Sequence, residues 1–208
     1  MPIRNNYLIA RLYMVSERLF LPLLGRFVKR PNHLTFIGVG IALLVPIGFY
    51  IDPILGLSLM VISGFFDMMD GVMAKAQKKE TLFGALLDSS FDRISDLCYL
   101  IGFWILFWGT GREIPSAILT FLACLFTFMI SYIKARAEGL GCKIKKGFME
   151  RGVRAVYLIG WALLIAIFDD FSESILWVGL SIYCLLTLGT VVQRFFETRL
   201  RFGEVESL

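Results

Sequence analysis

The sequence predicts an all-α integral membrane protein, with six transmembrane helices preceded by an N-terminal cytoplasmic interfacial amphipathic helix. The chain has 208 residues, of which 57% are hydrophobic, and its mean hydropathy is +0.73. This composition is too apolar for a water-soluble domain. Apolar runs of about 17 to 25 residues, the length that crosses a bilayer, recur along the chain. The six runs cover residues 34–50, 55–73, 82–107, 114–137, 153–168 and 174–196.

The segment before the first run has the pattern of an amphipathic helix. Arg4, Arg11 and Arg18 recur every seven residues, with apolar side chains between them. Such a helix lies in the plane of the membrane interface. The chain therefore divides into an interfacial amphipathic helix over residues 1–30, a six-helix transmembrane domain over 31–198 and a short cytoplasmic tail over 199–208.

The distribution of positive charge predicts the orientation. The chain has 21 lysines and arginines. Arg93 lies inside the third span, and Arg112 lies in a loop on one side of the membrane. All the others lie at or near the opposite side. The positive-inside rule places both termini in the cytoplasm of a multi-pass protein of the cytoplasmic membrane. The net charge of +4 is then explained by orientation, and no nucleic-acid partner is predicted.

Two pairs of aspartates stand inside otherwise apolar runs: Asp67 with Asp70, and Asp88 with Asp92. A carboxylate at membrane depth costs about 2.5 kcal/mol or more, so four of them indicate function. Spacings of three and four put each pair on one helix face, and a short polar loop over 75–80 brings the two pairs together. Clustered carboxylates need cations, and oxygen ligands favour Mg²⁺, Mn²⁺ or Ca²⁺ over zinc. The sequence therefore predicts a metal site that binds a phosphate or diphosphate.

The aspartate segment resembles the signature of the CDP-alcohol phosphotransferase family, enzymes of phospholipid headgroup synthesis. Lys75 is the one departure, because the family carries arginine there. The segment 31–38, which contains Asn32 and Thr35, is similar to the family's nucleotide-contacting entry to the first span. The matching signature positions are Asp67, Asp70, Gly71, Ala74, Gly84, Asp88 and Asp92.

The resemblance implies metal-dependent transfer of a phosphatidyl-type group from a CDP-linked lipid to the hydroxyl of a small polar acceptor, with release of CMP. Two divalent ions, Mg²⁺ or Mn²⁺, would be held by the four aspartates, and Asp92 would also act as general base. It further implies a cytoplasmic active site, a homodimer and membrane lipids as partners. The implied CDP-binding set is Asn32, Thr35, Asp67, Gly71, Ala74, Lys75 and Gly84.

Three cytoplasmic segments resemble one branch of that family, which makes phosphatidylinositol phosphate or its archaeal ether-lipid counterpart. They cover residues 131–138, 147–151 and 190–194. The acceptor would then be a small phosphorylated polyol, namely inositol phosphate. Gly152 and Val153 stand where the branch usually has Pro-Glu, so glycerol 3-phosphate stays open as the alternative acceptor. The implied acceptor-binding residues are Ser131, Lys134, Arg136, Arg151 and Arg194.

Two other classes use carboxylates inside a membrane. An ion-coupled transporter is disfavoured because the carboxylates cluster toward one side, with no second charged layer leading to the other. A membrane polyprenyl transferase also binds Mg²⁺ and a diphosphate, but its motifs are spaced differently and its bundle needs more spans. The sequence leaves open the lipid tail, diacyl or ether-linked, and the choice between Mg²⁺ and Mn²⁺.

Overall fold

The computed structural model describes residues 32–77, 81–144, 147–168 and 172–206. These residues form helices and no strand, which confirms the predicted all-α class. The interfacial helix predicted over residues 1–30 lies outside the described residues. The helices are α1 (Asn32–Ile51), α2 (Pro53–Ala76), α3 (Leu82–Ile105), α4 (Glu113–Gly139), α5 (Arg151–Ile167) and α6 (Ser172–Glu206).

Four of these helices, α1, α2, α4 and α6, are long and apolar enough to cross a membrane. The chain is therefore an integral membrane protein. Charged side chains in the middle of α3 lower its apolarity. Helix α5 has 17 residues and is about 26 Å long, short of the roughly 30 Å hydrocarbon core. Six spans therefore stay a prediction.

The helix ends follow from local side chains. Asp52 Oδ1 accepts hydrogen bonds from the amides of Ile54 (2.8 Å) and Leu55 (3.0 Å) at the start of α2. Thr81 Oγ1 accepts one from the Gly84 amide (2.9 Å) at the start of α3. Both are N-cap contacts, which satisfy amides that lack a partner in the first turn.

Two helices continue further than the apolar runs indicated. Helix α2 includes Lys75 in its last turn, so the connection to α3 is shorter than the predicted 75–80 loop. Helix α6 has 35 residues and continues to Glu206, so the predicted tail is helical over its described part. Its length of about 52 Å exceeds the roughly 30 Å hydrocarbon core, so part of α6 extends beyond that core.

The described residues form two compact units, and the first comprises 32–45 and Ser58–Cys98. Its core consists of Leu34 on α1 and Met69, Val72 and Met73 on α2. The Ser63 hydroxyl of α2 donates a buried hydrogen bond to the Gly38 carbonyl of α1 (2.8 Å). The rings of Phe36 and Phe91 connect α1 to α3 by an edge contact at 5.1 Å. These contacts join α1 to the parts of α2 and α3 that carry the aspartates.

The second unit comprises Pro46–Leu57 and, among the described residues, 99–144, 147–168 and 172–206. Helices α4 and α6 are joined by a buried hydrogen bond between the hydroxyls of Thr127 and Tyr183 (2.9 Å). Trp161 of α5 stacks on Phe103 with ring centroids 3.9 Å apart, and its indole donates to the Ile175 carbonyl of α6 (3.0 Å). Interhelical hydrogen bonds and aromatic contacts thus supplement the packing of apolar side chains.

Candidate active site

Three carboxylates come together in the first unit. Asp67 and Asp70 lie one helical turn apart on α2, and Asp88 lies on α3. One oxygen of each carboxylate lies within 4.8 Å of one oxygen of the other two. Asp70 is buried at 5% exposure, while Asp67 and Asp88 are half-buried. The structure therefore brings together three of the four aspartates that the sequence predicted as metal ligands.

Asp70 has an incomplete set of hydrogen bonds. The Thr35 hydroxyl of α1 donates to its carboxylate, as does the Gly71 amide. Its Oδ2 is buried and accepts no hydrogen bond from the described residues. A buried, partly unsatisfied carboxylate next to two others is costly without a cation. The donor set, all carboxylate oxygen, fits a hard divalent ion such as Mg²⁺ or Mn²⁺.

Asp92 lies outside this triad by the same distance criterion. It is buried on α3 at 6% exposure, and its Oδ2 is 3.4 Å from Nη1 of Arg93. The same Nη1 donates to the Ser89 carbonyl. Asp92 is thus not one of the three mutually close carboxylates and lies beside the Arg93 guanidinium, an arrangement that spacing along α3 did not predict.

The residues predicted to contact the nucleotide all belong to the unit that carries the triad. Asn32 is the first residue of α1, and Thr35 contacts Asp70. Lys75 is exposed in the last turn of α2. Gly71 and Ala74 on α2 and Gly84 on α3 are half-buried. Sequence reasoning did not predict the Thr35 hydrogen bond, because its partner lies 35 residues further along the chain.

The predicted acceptor residues belong to the second unit. Ser131 and Lys134 on α4 are half-buried and Arg136 is exposed, while Arg151 is the half-buried first residue of α5. Arg194 on α6 differs from these, because it is only 1% exposed.

Arg194 pairs with a residue that sequence reasoning did not single out. Its Nη2 lies 2.6 Å from Oε1 of Glu150. Glu150 stands inside the 147–151 segment that carries the family resemblance, but a glutamate beside arginines in a cytoplasmic loop has no distinguishing sequence signal. Only the fold identifies it as the partner of Arg194.

The fold and the carboxylate triad define a helical membrane protein with a metal-binding acidic centre. The CDP-alcohol phosphatidyltransferase family matches residues 28–187, and the chain belongs to this family. It is therefore an enzyme of phospholipid synthesis, as the aspartate segment predicted.

Proteins that are similar over most of the chain include two named lipid synthases. An archaetidylinositol phosphate synthase of Pyrococcus horikoshii is 34% identical over 173 residues, which cover 82% of this chain and 84% of that protein. The crystal structure of Mycobacterium tuberculosis phosphatidylinositol phosphate synthase with CDP-DAG bound matches with a TM-score of 0.71 at 30% identity, covering 90% of this chain and 94% of that one. The structure of that enzyme in complex with manganese and citrate matches with a TM-score of 0.72 at 29% identity, covering 89% and 88%.

Proposed function

We propose that this enzyme transfers a phosphatidyl-type group from a CDP-linked lipid to a hydroxyl of inositol phosphate, giving a phosphoinositol lipid and CMP. The observation that carries the proposal is the triad of Asp67, Asp70 and Asp88, an all-oxygen site inside an apolar bundle. The similarity to synthases named for inositol phosphate lipids supports the acceptor. Glycerol 3-phosphate is the second candidate acceptor, because Gly152 and Val153 depart from the pattern of that branch.

Two divalent ions, Mg²⁺ or Mn²⁺, would be held by the triad together with Asp92. When bound, they supply positive charge that stabilises the negative charge on the diphosphate and on departing CMP. Lys75, exposed at the end of α2, adds a further positive charge for the nucleotide phosphates. Thr35 orients Asp70 through its hydroxyl, which leaves Oδ2 available as a ligand atom.

In the transfer step, an acceptor hydroxyl oxygen forms a bond to the phosphorus that carries the lipid. The bond between that phosphorus and the oxygen bridging to CMP breaks, and CMP leaves with the bonding electron pair. Asp92 takes the hydroxyl proton as general base. The acceptor's own phosphate is bound by four cations and a hydrogen-bond donor. These are Lys134, Arg136, Arg151 and Arg194, with Ser131 as the donor.

The decisive experiment measures CMP release by the purified protein in lipid nanodiscs that contain a CDP-linked lipid. Release that requires both Mn²⁺ or Mg²⁺ and inositol phosphate is the expected result. Release with glycerol 3-phosphate but not with inositol phosphate would show that glycerol 3-phosphate is the acceptor in the same transfer reaction. Parallel assays with diacyl and ether-linked donors identify which lipid tail the enzyme uses. The control is Asp70→Asn, which keeps the side-chain shape and removes the charge.

We further propose that both termini and the active site face the cytoplasm, in a six-span homodimer with an interfacial helix predicted over residues 1–30. The excess of lysine and arginine in the loops on one side supports this orientation. A cysteine added after Leu208 should react with a membrane-impermeant maleimide in inside-out vesicles and not in intact cells. Cross-linking in native membranes tests for the dimer.

A further inference from the structure

The turn over residues 147–150 is followed directly by Arg151, the first residue of α5, and it contacts α6. Thr190 and Arg194 lie four positions apart on α6, a spacing that puts both side chains on one face of the helix. The Arg194 guanidinium donates to the carboxylate of Glu150 in the turn (2.6 Å). Two proposed acceptor cations, Arg151 and Arg194, therefore belong to segments that are in direct contact.

The backbone of Met149, in the middle of the turn, is held at both of its polar groups by side chains from two helices. Its amide donates to Thr190 Oγ1 of α6 (3.2 Å), and its carbonyl accepts from Nη1 of Arg154 on α5 (3.0 Å). Met149 is 1% exposed. A buried backbone group outside a helix needs such a partner, because leaving it unsatisfied is costly. Thr190 and Arg154 thus fix the centre of the turn.

The Thr190 hydroxyl is engaged both as a donor and as an acceptor. It donates to the Leu186 carbonyl one turn earlier on α6 (2.9 Å) and accepts from the Met149 amide. Thr190 is 1% exposed. The bond to the Leu186 carbonyl fixes the direction of the hydroxyl hydrogen and leaves the oxygen lone pairs for the turn. Thr190 therefore connects the turn to the regular part of α6.

The turn approaches α6 most closely at Gly147. A methyl group at Gly147 would lie 2.7 Å from Cγ2 of Thr190 and 3.1 Å from Nε of Arg194, closer than carbon atoms pack without repulsion. The neighbouring Phe148 amide donates to Gln193 Oε1 on the same helix (3.3 Å). The bond from Met149 to Thr190 is thus part of a continuous contact between the turn and α6.

We propose that Thr190 is a positioning residue for the acceptor: it fixes the 147–150 turn on α6 and thereby sets the place of Arg151 relative to Arg194. Both arginines contact the acceptor phosphate, and Thr190 acts through the turn that lies between them in the structure. This inference rests on the proposed function, because that function assigns both arginines to the acceptor. Two cations bind one phosphate most tightly when their separation is fixed before the phosphate arrives.

Thr190→Val tests this role, because valine keeps the branched shape and removes the oxygen that holds the Met149 amide. We expect T190V to raise the KM for inositol phosphate about five- to tenfold, the lower end of the effect of one unsatisfied buried donor. The kcat and the KM for the CDP-linked lipid should stay close to wild type, because the substitution leaves the aspartates and Lys75 unchanged. Thr190→Ser retains the hydroxyl and should restore the wild-type KM for inositol phosphate.

Thr187→Val is the matched control for T190V. Thr187 is buried on the same helix at 0% exposure, and its hydroxyl donates to the carbonyls of Tyr183 and Cys184, both within α6. T187V therefore removes a buried hydroxyl from α6 and leaves the bonds to the turn in place. Its KM for inositol phosphate should equal that of the wild type. An equal rise in T187V and T190V, or an unchanged KM in T190V, overturns the proposal.

A second variant disturbs the same contact from the side of the turn. Gly147→Ala places a methyl group against Thr190 and should push the turn away from α6, so the KM for inositol phosphate should rise as in T190V. Gly139→Ala is its control, since a methyl group there would meet nothing within 4 Å. A KM in G147A equal to that in G139A would overturn the proposal even if T190V did not fold.

Hydrogen exchange gives a readout that needs no acceptor. The Met149 amide should exchange about fivefold faster or more in T190V than in T190S or T187V, because its hydrogen-bond acceptor is lost. A raised KM with unchanged exchange would show that Thr190 affects the acceptor without fixing the turn, which overturns the proposal. If the wild-type protein shows no activity with inositol phosphate, the proposed function fails, while exchange at Met149 still decides whether Thr190 fixes the turn.

Discussion

The Thr35 hydroxyl of α1 donates a hydrogen bond to the carboxylate of Asp70 on α2. Thr35 is 7% exposed and Asp70 is 5% exposed, so the contact is shielded from water. A hydrogen bond to one oxygen restricts the rotation of a carboxylate and leaves the other oxygen to point at a ligand. In Asp70 that other atom is Oδ2, the oxygen without a hydrogen-bond partner among the described residues.

Replacing Thr35 by valine should weaken metal binding. Valine keeps the branched shape and removes the donor, and loss of a hydrogen bond to a metal ligand typically costs about 10- to 100-fold in metal affinity. The Mn²⁺ concentration that gives half-maximal CMP release should rise by that factor. Thr35→Ser retains the hydroxyl and should stay close to wild type. A raised KM for the CDP-linked lipid with unchanged Mn²⁺ dependence would assign Thr35 to the nucleotide instead.

Asp92→Asn should lower turnover without abolishing metal binding. Loss of a general base typically costs about 10² to 10⁴ in rate, and the triad of Asp67, Asp70 and Asp88 remains intact in this variant. Electron paramagnetic resonance of Mn²⁺ should therefore still detect a bound ion in D92N, whereas Asp70→Asn should lose it. Equal loss of Mn²⁺ in the two variants would show that Asp92 acts mainly as a metal ligand.

Lys75→Arg should improve binding of the lipid donor. Arginine offers a planar pair of donors to a phosphate where lysine offers a point charge, and the side chain is exposed. One additional exposed contact of this kind contributes at most about 1 kcal/mol. We expect the KM for the CDP-linked lipid to fall about two- to fivefold, with the KM for the acceptor unchanged. An unchanged or higher KM for the CDP-linked lipid would show that Lys75 does not contact the nucleotide phosphates.

Gly179→Ala should destabilise the packing of α5 on α6. A methyl group at Gly179 would lie 2.1 Å from Nε1 of Trp161, which is stacked on Phe103 and hydrogen-bonded to Ile175. Overpacking of this kind typically costs about 1–3 kcal/mol. Thermal unfolding in detergent should therefore begin several degrees lower.

Gly189→Ala is the matched control for that substitution. Gly189 lies on the same helix, and a methyl group there would meet nothing within 4 Å. Its unfolding temperature should stay at or above that of the wild type, since alanine favours a helix over glycine. Equal destabilisation by both substitutions would point to a general effect on α6 and not to contact with Trp161.

Several features followed from local sequence. The all-α class and the family were predicted correctly, because runs of apolar residues and the spacing of Asp67, Asp70 and Asp88 are short-range patterns. The number of spans and the orientation of the termini stay predictions. The extension of α2 through Lys75 was missed, because a polar helical turn beyond an apolar run has the composition of a loop.

The roles of individual site residues also stay predictions, and the structure shows why sequence could go no further. Spacing put Asp88 and Asp92 on one face of α3, yet only Asp88 joins the triad, while Asp92 lies beside Arg93. Arg194 looked like the other cytoplasmic cations, yet it alone among the predicted acceptor residues is fully buried.

The sequence by itself determined the membrane environment of this protein, its all-helical class and the presence of an acidic centre. These depend on apolar content and on spacings within one or two helical turns. Only the tertiary structure decided which polar atoms meet across helices: Thr35 with Asp70, and Arg194 with Glu150, which are 44 residues apart. Inside an apolar bundle, every buried charge and hydrogen-bonding group must find its partner in the packed chain. Sequence spacing does not encode such long-range pairings.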